Sequence, residues 1–267
     1  MNSDIVTLAA LIAAILYIVS ATSVTTRFLH HEGPREKLSR GVALIASIVH
    51  LGVIYISIAA GDGQNMSMTN VLSLVAWLMS VAMLISSLYL RNTILLPVVF
   101  GFAAIALLLG VAVPDNYATN IGLNPGIVIH ITLSLLAYGT LMIALLYALQ
   151  VTFINAQLKD KKTAILHSSL PPLMTVESIL VKLLIAGTVM LVVAISSGVV
   201  FLDNLFDSQH AHKSVLTIIA LLVYTIALLG NSRWGWRGKP LLIASIAGSS
   251  LLTLAYFGSR FVREVIL

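Results

Sequence analysis

Eight apolar stretches, each long enough to cross a bilayer, dominate this chain: about 5–26, 41–60, 70–90, 94–113, 126–155, 178–201, 214–231 and 240–258. A run of some 18 or more apolar residues reads as a spanning helix, because ~20 residues at ~1.5 Å each match the hydrocarbon thickness. The loops between the runs are short, so no soluble domain fits. With 59% hydrophobic and 9% charged residues, the chain lies far from a water-soluble balance. The expected fold is all-α: a single integral membrane domain over 1–267, built as a bundle of eight transmembrane helices. The first run is too long for a cleavable signal and no cation precedes it, so it is expected to stay as a span.

Lys and Arg set the orientation. Arg27, Arg35, Lys37, Arg40, Arg91, Lys159, Lys161, Lys162, Arg233, Arg237 and Lys239 all fall on one side when the loops are numbered alternately. Only Lys213, Arg260 and Arg263 fall on the other. Eleven against three predicts that the rich side is cytoplasmic and that both termini face outward. The formal charge of +5 is thus accounted for by topology, and no loop is long enough to make a nucleic-acid surface.

Histidines inside apolar runs are the chemically informative residues. His130 lies in IVIHITLSLLAYGTLMIALLYALQV, His50 in GVALIASIVHLGVIYISIAA, and His212 at the mouth of KSVLTIIALLVYTIALLG. A bilayer tolerates such a ring only where it meets protein, water or a ligand. The helical rise puts His50 near mid-membrane and His130 and His212 about level near the outer edge. Each ring has an ordinary reading too, as a packed neutral histidine bonded to a hydroxyl or a carbonyl. Ser134 and Tyr138 continue the His130 stripe at four-residue steps, and Ser245, Ser249, Thr253 and Tyr256 form another in the last run. Such stripes mark protein-facing sides in lipid. The chain has no cysteine, which removes thiolate metal sites, disulfides and thiol-based haem attachment. Zinc prefers three or four ligands including a carboxylate or thiolate. The candidate acids for such a site are Asp203 and Asp207, in an outer loop. Haem iron accepts one or two imidazoles, so haem ranks above zinc. His130 and His212 are then the candidate iron ligands and His50 a deeper relay position. Lys213 and Arg260 are the candidate propionate anchors, and Tyr138 a further cofactor contact.

Three segments carry a family resemblance: RWGWRGKPLLIASIAGSSLLTLAYFGSRF, PGIVIHITLSLLAYGTLMIALLYALQ and LPPLMTVESILVKLLIAGTVML. They resemble the CcsA/CcmC/HemX-type cytochrome c assembly superfamily, and within it the HemX-like inner-membrane group. The resemblance implies a bacterial inner-membrane protein that binds or handles haem b on its outward face, transiently if it passes the haem on. In that family a tryptophan-rich segment ending in Asp holds exposed haem between outward histidines. The corresponding segment, near 201–214, reads FLDNLFDSQHAHKS and has no tryptophan. Trp77, Trp234 and Trp236 lie elsewhere, and no histidine follows the Tyr-Phe-Gly helix. The chain therefore fits haem binding better than direct cytochrome c maturation. The alternative expectation is a non-catalytic membrane partner that regulates or stabilises another integral membrane protein such as a transporter. Its own transport function ranks lower, because acids are confined to loops and ends. No nucleophile–base constellation points to an enzyme.

Overall fold

The computed structural model describes residues 2–26, 34–59, 64–89, 94–113, 118–119, 125–159, 171–202 and 211–258. Among them the helices are α1 (Asn2–Thr25), α2 (Glu36–Ala59), α3 (Met68–Tyr89), α4 (Leu96–Ala112), α5 (Pro125–Lys159), α6 (Leu173–Phe201), α7 (Ala211–Trp234) and α8 (Lys239–Thr253). A π-helical turn, Leu254–Gly258, continues α8. The chain is an all-α polytopic membrane protein. Seven helices, α8 counted with its π-turn, are long and apolar enough to span. The eighth, α4, has 17 residues and covers about 25 Å, the short end of a spanning helix. Among the described residues, Gln64–Asn65 (β1) and Ala118–Thr119 (β2) pair antiparallel, with Gln64 opposite Thr119.

The helices divide into two compact units, α1–α4 and α5–α8. In the first, α1 packs on α2 and α4, and α3 packs on the same two helices, which closes a four-helix ring. The contacts use small residues: Ala10, Ala13, Ala14, Ala43, Ala46, Ala103 and Ala104 are buried. Ile5, Leu8, Ile15, Leu44, Ile48 and Ile105 are exposed, as lipid permits. With lipid as apolar as leucine, close backbone approach and inter-helix hydrogen bonds replace the usual hydrophobic drive. Ser20 and Ser39 show both, their hydroxyls 2.8 Å apart and each within 2.9–3.1 Å of the other's carbonyl. Arg40 pairs with Glu36 at 3.1 Å and donates to the Ser87 carbonyl at 3.2 Å, which covers one of the open carbonyls in the last turn of α3.

In the second unit, α5 packs on α6 and α8, and α7 packs on the same two. Glycines set the spacing. A Cβ on Gly187 of α6 would lie 2.7 Å from the Leu141 side chain of α5, and one on Gly248 of α8 would lie 2.5 Å from the Tyr224 ring of α7. The α7–α8 turn needs backbone with φ of 66° at Gly235 and 59° at Gly238, a region glycine enters without steric cost. The Trp236 amide closes this turn on the Gly230 carbonyl at 3.0 Å.

Candidate functional site

Proline at the first position of α5 suits a helix start, since its missing N–H is one of those left unbonded there. His130 follows within two turns and stands half-buried against α6. Its Nδ1 lies 2.9 Å from the Ala194 carbonyl and 3.2 Å from Ser197 Oγ. A carbonyl only accepts, and the Ser197 hydroxyl itself donates to Ala194 O at 2.7 Å. Nδ1 must therefore carry the proton. In the neutral ring this leaves the lone pair on Nε2, and Nε2 has no hydrogen-bond partner among the described residues. A histidine whose Nδ1–H is fixed by a carbonyl is oriented as metal-ligating imidazoles usually are. The sequence exposed His130 but not its partner, because a backbone carbonyl carries no residue-type signal.

His50 is different. It is fully buried in the first unit. Nε2 meets Ser73 Oγ at 2.8 Å and Nδ1 meets Tyr17 Oη at 3.4 Å. Tyr17 also sets its ring edge-on to the imidazole at 5.7 Å and stacks on Phe100 at the same distance. Both ring nitrogens are thus engaged with hydroxyls inside the bundle.

His212 lies exposed on the first turn of α7, with Lys213 half-buried beside it. Heights within the second unit follow from two contacts: Asn155 against Gly238 and Tyr224 against Ser249. Measured along the helices from Gly238, His130 stands about 37 Å up and His212 about 34 Å up. The two imidazoles share a level, but no hydrogen bond or ring contact joins them. Arg260, Asp203 and Asp207 lie outside the described residues. Among the described residues no three or more of His, Asp and Glu group as a metal cluster.

Tyr138, two turns along α5 from His130, is buried and bonded. Its hydroxyl lies 3.0 Å from Thr253 Oγ1, which in turn donates to Ser249 O at 2.7 Å, so the phenol is the donor to Thr253. Ser249 Oγ bonds the Tyr224 hydroxyl at 2.9 Å. The Tyr138 ring lies near-parallel to Tyr256 at 6.3 Å and tilted to Phe257 at 6.0 Å. Tyr256 and Phe257 are 5.6 Å apart in the π-turn.

The model of the family described as cytochrome c assembly protein matches residues 38–267. "Inner membrane protein YpjD" of Escherichia coli K12 is 39% identical over 259 residues, which cover 96% of this chain and 98% of that protein. An "uncharacterized 28.8 kDa protein in nifR3-like 5'region" of Azospirillum brasilense is 31% identical over 147 residues, 54% of each chain. No solved structure matches. Match and helices together identify a multi-pass inner-membrane protein. The chain belongs to the cytochrome c assembly protein family.

Proposed function

We propose that this protein binds haem at the charge-poor end of α5–α8 and handles it for cytochrome c assembly, with no catalysis of its own. The observation that carries this reading is the His130 tautomer: Nδ1 is committed to Ala194 O, and Nε2 keeps a lone pair that meets no partner among the described residues. Family membership supports haem as the group involved. Haem would supply an iron that accepts imidazole nitrogens, and propionates that favour cations. His130 Nε2 is the first ligand in this reading. His212, at the same level on α7, is the second. Lys213 and Arg260 are the propionate contacts. His50 is a packing residue in this reading, since Ser73 and Tyr17 already occupy both its nitrogens.

Haem added to the purified protein in nanodiscs tests the reading, with empty nanodiscs as the control. We expect a stoichiometric Soret band, at least tenfold weaker binding for His130→Ala, and a changed ligand-field spectrum for His212→Ala. Haem uptake no greater than by empty discs would overturn the proposal.

A further inference from the structure

Residues 201–214 carry no tryptophan, and Trp77, Trp234 and Trp236 lie elsewhere. The second unit holds an aromatic cluster of another kind. Tyr138, Tyr256 and Phe257 form a three-ring cluster with centroids 5.6–6.3 Å apart, within the range at which aromatic faces and edges attract. Two features separate it from ordinary packing.

The first is its rigidity. Tyr138 is fixed at its far end through Thr253, and Thr253 in turn is held by the main chain of α8. The same turn of α8 carries the Ser249–Tyr224 bond to α7. Three helices thus hold one ring. The second is the π-turn. Successive residues in a regular α-helix point about 100° apart. Over Leu254–Gly258 the wider turn brings Tyr256 and Phe257 together against Tyr138. A π-turn gives up regular helical hydrogen bonding and recurs at functional sites. Tyr138 is buried, but Tyr256 and Phe257 are only half-buried, so the cluster keeps open aromatic surface. It lies about 12 Å along α5 from His130, on the scale of a porphyrin's own breadth.

We propose that Tyr138, Tyr256 and Phe257 are an aromatic platform that recognises the porphyrin ring itself, independently of its iron. This rests on the haem-handling reading and adds to it a division of labour. His130 holds the metal, and the platform holds the macrocycle. The Tyr138 hydroxyl stays with Thr253 and contributes no iron ligand.

Iron-free protoporphyrin separates the two roles. Its fluorescence and quenching are read on protein in nanodiscs, beside a haem titration of the same samples. Wild-type protein is expected to bind both rings. His130→Ala is expected to lose haem affinity and keep protoporphyrin affinity within about twofold. The double variant Tyr256→Leu/Phe257→Leu is expected to weaken both by about tenfold, the scale of one or two aromatic contacts. Phe257→Trp guards against a folding defect and is expected to keep both affinities. His130-dependent haem binding without protoporphyrin binding, or with protoporphyrin binding indifferent to the leucine pair, would overturn the platform and leave the proposed function standing. Binding of neither ring would overturn both.

Discussion

Of the two histidines set inside apolar spans, each solves the cost of an imidazole in lipid differently. His50 gives one nitrogen to Ser73 and the other to Tyr17, and nothing is left over. Replacing it by alanine would strand the Ser73 hydroxyl and open a void in a fully buried place. The expected cost is about 1–3 kcal/mol for the stranded group, read as a lower thermal midpoint in detergent. Haem affinity is expected to stay unchanged, and a selective loss of haem without loss of stability would assign His50 a ligand role instead. In His130, Nδ1 is held by α6, and Nε2 meets no partner among the described residues. Ser197→Ala keeps the stronger carbonyl contact, so haem affinity is expected to fall by no more than about threefold, well under 1.4 kcal/mol. A loss as large as that of His130→Ala would show that the serine, not the carbonyl, sets the ring.

At the level of elements, what apolar length can report was readable and what lies outside lipid was not. All eight expected spans contain a helix, because run length and helix need coincide in a bilayer. The expected start of the sixth run at 178 and end of the fifth at 155 fall inside longer helices, Leu173–Phe201 and Pro125–Lys159. Helical backbone continues into water where hydropathy falls silent. The β1–β2 pair has no sequence signal at two residues per strand. The polar stripes were legible as stripes: Tyr138 and Thr253, one from each, bond across helices. Which stripe meets which was not, since that depends on the rotation of each helix about its axis. Glycine contacts illustrate the same point. Tyr224 is pinned to Ser249 and cannot swing aside, so Gly248→Val is expected to destabilise by about 1–3 kcal/mol through overpacking. Thermal unfolding in detergent measures it, and an unchanged midpoint would show that α7 and α8 separate freely.

For the whole molecule, charge predicts orientation and the absence of native cysteine makes it testable without a background. Gln64→Cys and Val113→Cys are expected to react with an impermeant maleimide on intact spheroplasts, and Arg237→Cys and Lys159→Cys only after permeabilisation. The reverse pattern would place His130 on the cytoplasmic side and end the outward-facing account. Family membership and the helical fold do not depend on that result. The haem reading depends on one nitrogen. His130→Gly protein purified with haem tests it most directly, because free imidazole can enter the space the side chain leaves. The Soret band is expected to be lost in this variant and to return when imidazole is added. A band that persists without imidazole, or wild-type protein that shows none, would contradict it.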